Sequence, residues 1–414
     1  MIIISEDTDT DYNEAAAIHS EEPEFHVFEE DNVQVQGDKI ETAQMENTSN
    51  KSARESCDND KVDDDLYTAL ITKAPYVPGD VSPLVPLDEI PWIDKSLIEH
   101  SISFHKKHLT QLILANTAAL MFGFAVKPNS TVILRTGKLH NPELSFHRYL
   151  STIQRIGKFF LFTIDEAKAF KAFDTVRKMH ALASKKKMES ASPSSVTETL
   201  DLAQNWKKEL AHAMQADLKH IDTSAAPKDI LTWDPAVPVS QFDMVITQFG
   251  FIGTMWLFPR VFGIKDRYEE MKGVIHVWAI YGRLLGIKDE FSICIKPDAQ
   301  LYDKLFQNIV VESLKTMDET VVTIQSAFME AFTKRIPFMT YKSMLYTGLQ
   351  ELEGYEGDNL WNLMSYWDKI SVKILQLWMW SMRKSSIVRF CMNISTAMWI
   401  QFQFWMHLPT SLWE

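Results

Sequence analysis

Leu109 to Val126 reads LTQLILANTAALMFGFAV, eighteen residues without a charged side chain, and few structures can absorb such a run. A strand usually holds about 3 to 10 residues, so this segment is a helix. It stands at the edge of the length that spans a bilayer, but Thr110, Gln111, Asn116 and Thr117 interrupt its apolar surface. A helix buried in a protein core is the expectation. Just upstream, Asp94 to Lys107 alternates apolar and polar positions at helical spacing. His105 and His108 stand one turn apart, a spacing that suits a metal, yet Lys106 and Lys107 lie between them and predict a solvated face.

The chain keeps to the helical period elsewhere. Pro142 and Glu143 predict a helix start, since proline fits a first turn and an acid suits the positive end of the macrodipole, with the helix running over 143–160. A second helix is expected over 165–184. Ser240-Gln241-Phe242-Asp243 resembles a cap, and the DMVITQFGFIGTMW helix that it opens is apolar nearly all round, hence buried. Val274 to Leu285 predicts another, stopped by Gly286. No strand-period alternation, internal repeat or glycine-rich phosphate loop occurs. The fold class is all-α, a helical bundle.

Charge divides the chain. Residues 1–65 carry 20 Asp/Glu against 4 Lys/Arg, a balance of −16, so the rest carries +3 of the total of −13. Such a segment predicts a disordered acidic tail, and the nearly neutral remainder gives no basic face for nucleic acid. Residues 66–93, with Pro75, Pro78, Pro83, Pro86 and Pro91, read as an extended linker. Residues 94–350 form the helical domain, and a lysine triplet, serines and prolines over about 185–238 predict an exposed, mobile insertion. Cys57, Cys294 and Cys391 match neither a zinc spacing nor a disulfide framework, which suits a reducing compartment. Met1 to Ile4 is too short and too soon acidic to predict a signal peptide.

Residues 351–414 hold seven of the twelve tryptophans, interleaved with Lys369, Lys373, Arg383, Lys384 and Arg389. Aromatic residues beside basic ones suit a membrane interface. Phe390 to Met406 lacks formal charge but contains Asn393, Thr396 and Gln401. An in-plane or hairpin anchor, a span and a plain docking helix all remain open.

Two short motifs carry the candidate chemistry. Arg148 and Thr152 are four apart, on one helical face; Arg177 and His180 are three apart on an apolar stripe with Phe170, Phe173 and Val176. A histidine on such a stripe is ordinarily a core residue. A guanidinium one turn away favours an anionic partner, and haem propionates supply one, while a helical imidazole is a common iron ligand. In this order and spacing, with the segments ITQFGFIGTMWLFPRVFGI and VWAIYGRLLGI, the chain over about 95–295 resembles the family of ER-bound oxygenases and rubber oxygenases, the latex-clearing proteins. The resemblance implies an all-α, globin-like core that binds haem b, with His180 as the iron ligand, Arg177 supporting the haem, and Arg148 and Thr152 lining or supporting the distal, catalytic pocket. It further implies dioxygen and an apolar or polyisoprenoid substrate whose carbon–carbon double bond is cleaved, and a membrane-associated protein of the endoplasmic reticulum. The rubber-cleaving members carry a lysine just before the motif threonine and an acidic base upstream of the motif arginine; Ser151 and Val132 stand there in this chain, with Glu143 nearer. A haem-dependent oxygenase is therefore the leading expectation, beside a haem-binding carrier or sensor without turnover and a haem-free membrane-associated interaction protein.

Overall fold

The computed structural model describes residues 65–79, 84–134, 142–159, 166–189, 204–352 and 354–407. The expected acidic tail, save Asp65, and residues 190–203 of the expected insertion lie outside them. Among the described residues every regular element is helical, and the one extended feature is an isolated bridge between Pro78 and Ser240. The protein is an all-α helical bundle. In chain order its helices are α1 (residues 65–72), α2 (Lys95–Gly123), α3 (Lys127–Leu134), α4 (Pro142–Phe159), α5 (Glu166–Glu189), α6 (Asn205–Asp217), α7 (Gln241–Leu257) and α8 (Arg267–Leu285). They continue with α9 (Ala299–Leu305, extended by a π-helical stretch Phe306–Val311 and the turn Glu312–Lys315), α10 (Glu319–Thr333), α11 (Tyr341–Leu349), α12 (Asp358–Leu363), α13 (Tyr366–Lys384) and α14 (Ser386–His407).

Local chemistry sets the ends of these helices. The Ser240 hydroxyl accepts from the Asp243 amide at 3.1 Å and the Asp243 carboxylate accepts from the Ser240 amide at 2.9 Å, a reciprocal cap that starts α7. Asp266 caps α8, which therefore begins before the expected Val274 and stops at Gly286 with a φ of 108°. α2 packs along α8 and α7 to form the centre of the bundle. Gly273 permits this, because a Cβ there would meet the Leu97 carbonyl and stand 2.6 Å from the Ser101 amide nitrogen of α2. In the uncharged run, Leu112, Leu114, Met121 and Phe122 are buried, as a core helix requires. Among the described residues no single helix is long and apolar enough to cross a membrane; α2 and α3 pass that test only as a pair bent by 91°.

α2 is broken at His108, whose φ of −127° and ψ of 23° leave the helical region. The Asn393 side chain of α14 fills the break. Its Oδ1 accepts from the Thr110 amide at 3.0 Å, and its Nδ2 donates to the carbonyls of Lys106 at 3.1 Å and Lys107 at 2.9 Å. Lys106 and Thr110 are the carbonyl and amide that a regular helix would pair with each other, so Asn393 is inserted into a rung of the ladder. The Thr396 and Thr110 hydroxyls add a contact of 2.9 Å.

Three expectations need correction. His105 and His108 are not on a solvated face: His108 is fully buried against Phe104, with ring centroids 4.6 Å apart, and His105 bonds the Ser101 carbonyl at 2.7 Å. The helix turns them toward α8 and leaves Lys106 and Lys107 in solvent, so the lysines between them reported the wrong face. Residues 66–93 are not an extended linker throughout, since α1 buries Tyr67 and Leu70 in the core. Nor is the described part of 185–238 an exposed insertion. α6 buries Leu210 and Met214, and Asp217 at its end accepts from the Asn359 and Leu360 amides at 2.9 and 2.8 Å, so it starts α12.

Asn393→Ala removes three hydrogen bonds and leaves buried backbone groups of α2 unmet; a loss of roughly 3 kcal/mol is expected, read from urea unfolding. A second expectation concerns pH. Burial, with Lys107 and Arg389 adding to it and Glu270 opposing, lowers the pKa of His108 to about 4. The unfolded chain takes up that proton near pH 6.5, so it binds more protons than the fold between these values. Stability is then complete above about pH 6.5 and falls as the pH drops toward 4, by about 3 kcal/mol from this residue. His105 and His276, lowered chiefly by burial, act in the same direction. Urea midpoints of His108→Gln taken from pH 7.5 to 4.5 should show a shallower decline than those of the unaltered protein.

Candidate functional site

α4 turns Arg148 and Thr152 toward the inside of the bundle on a shared face. The Thr152 hydroxyl donates to the Arg148 carbonyl one turn back at 2.8 Å, which commits its proton within the helix. Both residues line a cavity of about 80 Å³. The walls are apolar: Leu120 and Phe124 from the end of α2, Ile133 from α3, Ile246 and Phe251 from α7, and Phe328 from α10. The polar groups come mainly from α4, as Ser145, Arg148, Tyr149 and Thr152, joined by Asn129 and Thr247, whose side chains meet at 3.3 Å.

Arg148 is buried, and burial lowers its pKa to about 10. It remains a cation at neutral pH. Burial pushes the Tyr149 hydroxyl up to about 12, although the Thr117 hydroxyl 3.0 Å away opposes the shift. Tyr149 therefore stays protonated. Among the described residues the wall thus presents a cationic fork and neutral hydroxyls to an apolar space, and no carboxylate or imidazole. Such a site can hold an anionic head group or stabilise charge developing on a bound oxygen. Among the described residues it offers no side chain suited to abstract a proton at neutral pH.

The residues at the upstream positions do not supply one. Glu143 is half-exposed at the start of α4, where it meets Arg335 at 2.8 Å and Lys334 at 4.0 Å just past the end of α10. Arg335 in turn lies over the Phe146 ring, 3.7 Å from its centre. Val132 and Ser151 are buried but outside the cavity lining.

His180 is buried on α5, on the stripe of Phe173, Val176 and Ala183 that faces the bundle. α5 packs against α4, α8 and α3. Arg177, one turn before it, donates to the Leu284 carbonyl at 3.2 Å, at the end of α8 where carbonyls lack intrahelical donors. The structure therefore brings Arg148 and Thr152 together in one cavity, puts Arg177 at the end of α8, and buries His180 on the helix beside α4. His180 does not line the cavity.

Haem fits these residues in chemistry but not in arrangement. A buried imidazole and a buried guanidinium on packed helices are the right donor types. The imidazole, however, is not in the wall that holds Arg148, and about 80 Å³ is small beside the roughly 300–1,000 Å³ of ordinary cofactor pockets.

Sequence reasoning missed four contributors to this cavity. Asn129 and Thr247 looked like ordinary helix residues. Gly123 and Gly250 line the space with nothing within 4 Å of where a Cβ would stand, so their missing side chains help to leave it open. The available signal was a glycine in the middle of a buried apolar helix, which lowers helix stability and calls for a reason.

Comparison of the chain with family models, with curated proteins and with solved structures finds no match.

A short-chain carboxylate such as hexanoate should raise the melting temperature of the unaltered protein by a few degrees near saturation. Arg148→Met, which removes the cation, and Gly250→Leu, which fills the cavity, should each abolish that rise. Equal rises in all three proteins, followed by differential scanning calorimetry, would show that the acid binds elsewhere.

Proposed function

We propose that the protein is a haem-b-dependent oxygenase that uses dioxygen on an apolar substrate of the isoprenoid or lipid class. One observation carries the reading: the Arg148 and Thr152 pair lines a largely apolar cavity, on a helix packed against the one that buries His180. The order and spacing of the two motifs, as in the rubber oxygenases, adds to it. Haem iron supplies dioxygen binding and activation when it is present. Arg148 would stabilise negative charge within the cavity, Thr152 would present hydroxyl lone pairs there, and Phe124, Ile246 and Phe328 would exclude water and hold an apolar chain. Because His180 lies outside the present cavity lining, the reading requires α4 and α5 to part from their present packing when the macrocycle enters.

One observation favours a second reading, an apolar-ligand or haem carrier without turnover. Among the described residues the cavity wall holds no carboxylate or imidazole, and Ser151 and Val132 occupy the positions of the lysine and acidic base.

The visible spectrum of the purified protein tests whether it holds haem. A Soret band with stoichiometric iron is expected, lost in His180→Ala and retained in Arg148→Met. Oxygen consumption with cleaved product from a polyprenyl substrate distinguishes the oxygenase from the carrier. A colourless, iron-free protein that takes up no added haemin would overturn both haem readings.

A further inference from the structure

α14 is apolar on two sides. Its inward face packs Trp399, Ile400 and Phe404 against the core around the polar Asn393, Thr396 and Gln403, while Ile387, Phe390, Ile394, Met398, Phe402 and Trp405 are exposed. These six recur at three- and four-residue intervals, so they form one continuous stripe along the helix. Isolated exposed apolar residues are normal on a protein surface, whereas a contiguous stripe of large ones marks an interaction face. α13, which packs on α14, extends it with exposed Leu377 and Trp380, flanked one turn away on either side by Lys373 and Lys384.

We propose that the outer face of α13 and α14 docks in the plane of an anionic lipid surface. Charge selects this occupant. Residues 369–407 contain five Lys/Arg and no Asp/Glu, so two copies of this face would set like charges against each other. Anionic headgroups complement the same bases while the apolar stripe enters the acyl boundary. Lysine stems reach from such a depth to the headgroups, and tryptophan rings favour that level. The helices lie along the surface and do not cross it, because neither is long and apolar enough to span and the inner face of α14 is bonded to α2 through Asn393. The inference is independent of the haem reading.

The test is flotation of the full-length chain with phosphatidylcholine vesicles, with and without phosphatidylserine. Binding to the anionic vesicles is expected, falling as salt is raised. Ile387→Gln, Phe390→Gln and Trp405→Gln combined should weaken it at least about tenfold. The melting temperature should not change, since these side chains point to solvent. Lys373→Gln with Lys384→Gln should remove the preference for anionic lipid and leave residual binding. No flotation of the unaltered protein with either vesicle, or equal flotation of the triple variant, overturns the proposal. So does a dimer in sedimentation that the triple variant converts to monomer while vesicles are ignored, which would make the face a contact between copies.

Discussion

A single amide group, the side chain of Asn393, ties α14 to the break in α2. A break in a central helix exposes backbone donors and acceptors that cannot be left unmet in an interior. Asn393 matches the break with one acceptor and two donors, bonding the Thr110 amide and the carbonyls of Lys106 and Lys107. An aspartate would lack the donors and a leucine would lack both. The bend that this permits separates a solvent-edged first half of α2, bearing Lys106 and Lys107, from the uncharged half that enters the core. It also leaves His108 buried and neutral at neutral pH, because burial outweighs the attraction of Glu270, 3.8 Å away. The same amide fixes the rotation of α14. With Asn393 and Thr396 bonded to α2 and Trp399 and Ile400 packed inward, Ile387, Phe390, Ile394, Met398, Phe402 and Trp405 are left on the outside.

The cavity poses a second electrostatic problem. A guanidinium in an apolar wall is costly to desolvate, and burial lowers the pKa of Arg148 without bringing it near neutrality. The charge therefore persists in a space that Phe124, Ile246, Phe251 and Phe328 line together with the neutral polar side chains of Asn129, Ser145, Tyr149, Thr152 and Thr247. A cation in such surroundings acts strongly on whatever negative charge enters, since little water screens it. The neighbouring hydroxyls are already engaged, Tyr149 with Thr117 and Thr152 with the Arg148 carbonyl. The site is suited to binding and polarising, and unsuited to proton abstraction.

Much of this architecture was legible in the sequence where the signal is local. Helical periodicity marked α4, α5 and α7, the Ser240 and Asp243 pair marked a cap, and Gly286 marked a stop. The four-residue spacing put Arg148 and Thr152 on one face, and they do share a cavity. Periodicity reveals that a face is buried but not what lies opposite. His180 belongs to a buried stripe, yet its neighbours come from other helices, and Arg177 reaches a carbonyl 107 residues away. The polar composition of 204–238 suggested exposure because Asp217, which caps α12, looks in sequence like any surface acid. His108 was misread for the same reason. Its neighbours in the chain are lysines, but its neighbours in space are Phe104 and α8.

α14 joins the two features that lie furthest apart in the chain. Its inner side reaches α4, where Trp399 stands edge-on to Phe146 with ring centroids 6.2 Å apart. Phe146 is adjacent in sequence to Ser145 and two residues from Arg148, both in the cavity wall. One helix layer therefore separates the outward apolar stripe from the helix that carries the cavity's cation. For an apolar molecule dissolved in lipid, passage through water is the expensive part of reaching a protein site. A docking face and a binding cavity that share neighbouring helices would shorten that passage. The exposed apolar stripe of α14, a liability for a protein free in solution, is then what such an arrangement requires, and Asn393 is the group that keeps that stripe facing outward.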